Sequence, residues 1–228
     1  MAKIVTSAIV ADIRKKIGGN VFSKVRSGAI VRRKVSPIQP RTNTQRNVRA
    51  NFAAISKRWG SAAVGDTNRA GWNALAQNYP QKDKFGASHT LTGLQMYQKL
   101  NRNLQTIGHG YLDIPPATLA APNPGAITIV ATSPATLTAN PDNAIVGTEV
   151  AAVSAAAQQS AGRTFVGNRY RLLTTFVLAS TTPWDIASVY TAKFGSLISG
   201  KKVSVLVKYI DPTTGAAGIA GSGQKTVT

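Results

Sequence analysis

The sequence predicts an α+β chain in three parts: an extended basic N-terminal arm with a β-hairpin, a small three-helix bundle, and a C-terminal antiparallel β-sandwich of immunoglobulin or fibronectin type. Three observations carry the prediction. Basic residues crowd into the first quarter, and apolar residues recur at helical spacing through the middle. From residue 117 onward the composition turns to Ala, Thr, Pro, Gly and Asn in short strand-like runs with little charge. These shifts set the boundaries at 1–41 for the arm, 42–116 for the bundle and 117–228 for the sandwich. With 228 residues, 43% of them hydrophobic, the chain is long enough to bury two cores.

In the arm, Ile4, Val5, Ile9, Val10, Ile13 and Ile17 fit neither the helical nor the strand period, so residues 2–17 stay open between the two. Gly18-Gly19 reads as a turn. Residues 21–25 and 29–35 are rich in β-branched side chains and read as a hairpin around Arg26-Ser27-Gly28, with Gly28 supplying a positive φ. A lone hairpin is marginal in water, so this one must lie on its own domain or on a partner. Pro37 and Pro40 bar a helix across residues 36–41 and make that stretch an extended linker.

Thr42, Asn43 or Thr44 caps the first helix, which runs to Trp59 and stops at Gly60. Its stripe is Val48, Phe52, Ile55 and Trp59, with Arg46, Arg49, Lys57 and Arg58 off it. Asp66 reads as the N-cap of a second helix that carries Trp72, Leu75, Ala76 and Tyr79 and stops at Pro80. A third begins near Thr90, shows Leu91, Leu94, Tyr97, Leu100, Leu104 and Ile107, and ends at Gly108. The expected bundle core is Val48, Phe52, Ile55, Trp59, Trp72, Leu75, Tyr79, Leu94, Tyr97 and Leu104, with Phe85 adding to its aromatic content.

Beyond it, strands are expected over 126–132, 136–140, 148–156, 169–179, 202–210 and 216–227, with Asp211 and Gly215 framing a turn. Pro183-Trp184-Asp185 opens a short helical segment that ends at Phe194-Gly195.

Little here points to catalysis. The eight acids offer no pair in the context of a general acid and base. His89 and His109 read as solvated loop groups without further ligands at metal spacing. There is no cysteine, which excludes thiol chemistry, and no Gly-x-Ser-x-Gly elbow. Gly18-Gly19-Asn20 leads into a strand, not a helix, and so lacks the context of a phosphate cradle. The expectation is a protein that is not an enzyme and takes no cofactor or metal. No apolar run approaches the roughly 18 residues of a membrane span. The first residues do not read as a signal peptide, and no membrane partner is expected.

The arm is the informative part. Residues 1–58 hold fourteen Lys and Arg against the single acid Asp12, a net +13 of the chain's +19. Such a field favours a polyanionic partner. The candidate contact residues are Lys24, Arg26, Arg32, Arg33, Lys34, Arg41, Arg46 and Arg49. Guanidinium forks suit phosphate and carboxylate alike, so nucleic acid and an acidic protein surface both stay open. No helix-turn-helix, zinc-finger or RNA-binding pattern occurs, so any nucleic-acid contact is expected at the backbone.

From residue 18 to about 116 the chain resembles a group of bacteriophage and prophage-encoded proteins. The shared features are a basic hairpin, Pro40-Arg41-Thr42 with Gln45, Arg49 and Phe52, then Trp59, Arg69 and Trp72-Asn73, and finally Leu91-Thr92-Gly93 with Tyr97 and Asn101. Gly71 departs from the pattern, since a better helix former is expected before Trp72. The C-terminal part resembles β-domains appended to virion proteins. The resemblance implies a virion structural protein, foremost a capsid-associated auxiliary, decoration or minor capsid component, made in the host cytoplasm and docked through its basic arm. The implied partners are other virion proteins with an acidic capsid or neck surface, and a homo-oligomer or many copies in an assembly. Two alternatives accompany it: a sequence-independent nucleic-acid-binding or packaging protein, and an adhesin-like surface module whose glycan contacts would rest on Trp184 and Tyr190.

Overall fold

The structure, a computed structural model, describes residues 2–5, 13–25, 28–36, 42–83, 85–120, 122–167, 169–177, 180 and 182–228. Among these the chain is α+β, with four helices and several sheets whose strand pairs are all antiparallel. It divides into two compact units, Met1–Met96 and Tyr97–Thr228. The division falls inside the third helix.

In the first unit, β1 (Ala2–Lys3), β2 (Lys15–Ile17), β3 (Asn20–Val25) and β4 (Gly28–Arg33) form one sheet in the order β1-β4-β3-β2. The stretch left open between helix and strand thus contributes two short strands. Gly18-Gly19 is the two-residue loop between the paired Ile17 and Asn20, and Gly18 takes a φ of 54° that a side chain would disfavour. Val25 pairs with Gly28, so Gly28, expected in the hairpin turn, is the first residue of β4.

Helix α1 (Asn43–Trp59) starts at Thr42, whose Oγ1 accepts the Gln45 amide at 3.3 Å. The expected stripe is only half covered. Ile55 is fully buried and Trp59 half-buried, but Val48 is 45% and Phe52 51% exposed. Periodicity says which face of a helix is apolar, not how far along that face the packing extends. Helix α2 (Asp66–Asn78) corrects a detail: its N-cap is Gly65, and Asp66 lies in the first turn, bonded to Arg69 at 2.6 Å. Arg69 also donates to the carbonyls of Trp59 and Ser61, which fixes the α1–α2 corner. Trp72, Leu75 and Ala76 are buried with Ile55 and Val64, while Tyr79 and Leu94 are half-buried.

Strands β5 (Gln81–Lys82) and β6 (Ser88–His89) make a small hairpin, and Asp83 caps its loop by accepting from the amides of Phe85 and Ala87. Phe85, expected in the core, is 57% exposed at the tip of that loop. Helix α3 (Gly93–Thr106) opens on a capping box, in which Gln95 donates its amide to Thr92 Oγ1 and Thr92 donates its own to Gln95 Oε1. Asn73 Oδ1 accepts the Gly93 amide at 2.9 Å, and a Cβ on Gly93 would run into Asn73.

The second unit contains the rest of α3, with Tyr97, Leu100, Asn101 and Leu104 buried, followed by the β-rich part. Strands β7 (Ile127–Thr132), β8 (Thr136–Pro141), β9 (Val150–Ser160), β10 (Arg171–Phe176), β11 (Trp184–Asp185), β12 (Lys201–Ile210) and β13 (Gly221–Thr226) form two sheets, ordered β10-β9-β12-β13 and β11-β8-β7. Helix α4 (Ala187–Phe194) follows β11. Strand β7 alternates strictly, with Ile127, Ile129 and Ala131 inward. These three join Leu137 and Ala139 from the same sheet and Ala151, Val153, Val203, Val205 and Val207 from the other in one buried core.

The closing strand is shorter than the run 216–227, and its glycines, Gly221 and Gly223, let β7 approach closely. A Cβ on Gly223 would overlap the Ile127 carbonyl oxygen. Backbone bonds between Ser133 and Thr228 and between Thr228 and Ala131 tie the end of β7 to the end of the chain.

Candidate functional site

The N-terminal sheet concentrates the candidate residues, and its register sorts them onto two faces. Opposed residues in antiparallel strands share a face, and neighbours along a strand alternate. Lys15 opposes Phe22, which opposes Val31; Lys24 and Arg33 lie on that same face. Lys16 opposes Val21, which opposes Arg32; Ile30 and Val25 lie on that other face. Each face therefore has a β-branched or aromatic centre and cations around it.

Among the described side chains neither face buries one. Among the described residues before Ile55, none is buried; Val21, Phe22, Ile30 and Val31 are half-buried, and Lys15, Lys16, Lys24, Arg32, Arg33 and Lys34 are exposed. A sheet of this size is ordinarily stabilised by at least one dry face. Arg46 and Arg49 are exposed on α1. Arg26 and Arg41 lie outside the described residues. The structure thus groups Lys24, Arg32 and Arg33 on one sheet, with Lys34 just past its edge, and places Arg46 and Arg49 on a helix. Sequence reasoning missed Lys15 and Lys16 as members of this sheet. The Gly-Gly pair between Ile17 and Val21, a two-residue hairpin signal, could have found them.

Several of the motif residues that carry the resemblance hold the fold together. Beyond Arg69, Asn73 and Thr92, the Tyr97 hydroxyl donates to Asp113 at 3.2 Å. Asn101 donates to the carbonyls of Tyr97 and Leu112 and accepts the Leu112 amide at 2.7 Å, holding the segment after α3 against the helix.

Asp185 and Asp211 stabilise turns. Asp185 accepts the Ala187 amide at the start of α4. Burial pushes the Asp211 carboxyl up, but the hydroxyls and amides of Thr213 and Thr214 outweigh it and hold Asp211 below its ordinary value. Half-buried Lys208, which donates to Asn103 Oδ1 at 3.3 Å, is lowered by burial and then by Lys99 nearby.

Open clefts occur among the described residues. One of about 570 Å³ is lined by His109, Glu149, Val150, Val177 and Thr213. Another, of about 310 Å³, is bounded by Pro80, Ser88, His89 and Thr90, where His89 Nδ1 is buried without a hydrogen-bond partner. This corrects the reading of His89 as a solvated group. The third contains Asp185, Ser188 and Thr191. None brings together three His, Asp or Glu groups fit for a metal among the described residues. The aromatics offered for glycan binding are core residues: Trp184 is 1% exposed and stacks on Phe176 at 4.9 Å, and Tyr190 is fully buried with its hydroxyl donated to Ala156. Among the described residues no helix is long and apolar enough to cross a membrane. Comparison with protein-family profiles, curated proteins and solved structures returns no match.

Proposed function

We propose that the chain is a non-enzymatic virion structural protein, a capsid-associated component that docks on an acidic protein surface through its basic N-terminal sheet. One observation carries the reading: of the fourteen bases behind the net +13 of the first 58 residues, six (Lys3, Lys15, Lys16, Lys24, Arg32 and Arg33) stand on one sheet whose described side chains are all at least partly exposed. Apolar centres on both faces supply surface to bury, and the cations around them supply electrostatic steering. The phage resemblance supplies the setting, with other virion proteins as partners and many copies in the particle. The finer architecture that accompanies this reading is a small bundle of the three long helices and an immunoglobulin- or fibronectin-like sandwich, held ready to pack or project. Limited trypsin digestion tests it: the free chain is cut within residues 1–41, and the chain in purified particles is protected there. Equal cutting in both, or a chain that never co-purifies with particles, defeats the reading.

A second reading, sequence-independent binding of nucleic-acid backbone, draws on the same exposed arginines. Titration against a random-sequence duplex separates the two. Affinity that collapses by orders of magnitude between low and moderate salt favours nucleic acid, and absence of binding at low salt removes it.

A further inference from the structure

Helix α1 offers a second surface with its own chemistry. Written as heptads, Gln45, Val48, Phe52, Ile55 and Trp59 take the a and d positions. The protein itself covers the C-terminal end of this seam, where Ile55 is buried and Trp59 half-buried. The N-terminal end is open: Val48 and Phe52, one turn apart, are 45% and 51% exposed, and every other residue over 43–54 except Gln45 is exposed too.

Charge selects what can cover this seam. The flanking e and g positions are Thr44, Arg49, Asn51, Ser56 and Arg58, and the whole helix has four bases and no acid. Charges at these positions set partner choice between paired helices. A second copy of α1 would face Arg49 with neutral or cationic groups only, whereas an acidic helix would compensate it. We infer that α1 docks an acidic amphipathic helix of another protein, which lays an apolar seam over Val48 and Phe52 and sets carboxylates beside Arg49. The inference rests on the docking reading above and adds a partner class at the helix instead of the sheet.

The test uses the full chain and labelled peptides of about three heptads with Leu at a and d, one with Glu and one with Lys at e and g. Fluorescence anisotropy should show the Glu peptide binding and the Lys peptide not. Phe52→Ser should weaken the Glu peptide at least about tenfold, as loss of a central aromatic anchor does. Arg49→Glu should reverse the preference toward the Lys peptide. Because Phe52 is half exposed, both variants should keep the wild-type circular dichroism and melting. A variant with Lys24, Arg32, Arg33 and Lys34 all changed to Gln should keep most of the affinity. Binding lost in that variant but kept in Phe52→Ser overturns the inference and leaves the sheet reading standing. Equal binding of both peptides, binding of neither, or a wild-type dimer that Phe52→Ser dissociates also overturns it, the last by making a second copy the occupant.

Discussion

Asn101 is fully buried with its amide engaged on both sides, donating to Tyr97 and Leu112 and accepting from Leu112. Replacement by Leu keeps the branching and heavy-atom count but strands the Leu112 amide and carbonyl. The expected loss is about 2–4 kcal/mol in urea unfolding, because a buried backbone group without a partner costs far more than a typical bond is worth. An unchanged midpoint would mean that water replaces the amide. Asn101 stands in the resemblance motif, yet a polar residue on an apolar helix face does not reveal the loop it holds eleven residues later. The buried tyrosines give a second test. Burial pushes Tyr190 and Tyr209 up to about 12, Tyr190 despite a backbone hydrogen bond that lowers it and Tyr209 with further help from Glu149. Their neutral forms are favoured in the fold, so their contribution to stability is intact below the ordinary tyrosine range. It is lost as pH rises from about 10 toward 12. Absorbance titration at the phenolate band should show Tyr190 and Tyr209 ionising late, together with unfolding of the β-rich unit. A single transition of all six near the ordinary value would contradict this.

At the scale of elements, the glycines fix how closely segments approach. Gly215 has a φ of 71°, and a Cβ there would lie 2.5 Å from the Leu100 carbonyl oxygen of α3, while Asn103 donates to the Gly215 carbonyl at 2.8 Å. Gly223 lets β7 pass over β13. Gly215→Ala combines backbone strain with a clash against main chain, and should cost about 2–4 kcal/mol in thermal or urea unfolding. Gly200→Ala is the control: it also has a positive φ, but nothing lies within reach of its Cβ. It should cost only about 1–2 kcal/mol. Equal costs would show that the turn, not the helix contact, constrains Gly215. The strands with apolar patterns, such as β7 and β12, were legible in the sequence, and so was the stop at Gly60, while the cap at Thr42 was one of three candidates. Strand β13 was only partly so, because GSGQKT holds no apolar alternation and its role lies in the side chains it lacks. For α1 the stripe was legible but its burial was not, since Val48 and Phe52 follow the same spacing as the covered Ile55 and Trp59.

For the whole molecule, charge and packing divide the chain at different places. The positive field belongs to the first 58 residues, and the composition changes near residue 117. The compact units, however, meet between Met96 and Tyr97. Composition could not place that boundary, because α3 is amphipathic throughout and its last turns are committed to the second unit by contacts more than a hundred residues away in sequence. Leu100 and Leu104 are each 2% exposed, Leu104 lies against Gly215, and Asn103 bonds to both Gly215 and Lys208. A fragment 117–228 removes this cover from the turn that joins β12 to β13, while a fragment 93–228 keeps it. Burying two leucines is worth about 1.5–3 kcal/mol each, so the shorter fragment should be less stable by at least about 2 kcal/mol. It should also show weaker amide-exchange protection at the 211–216 turn in particular. If the two fragments unfold at the same urea concentration with the same protection there, the second half of α3 is an ornament of the β-rich unit and the boundary moves back toward 117. If the longer fragment alone is cooperative, the helix is part of that unit's fold. The basic sheet and the open seam of α1 would then belong to a separately folding N-terminal unit, free to dock without disturbing the sheets.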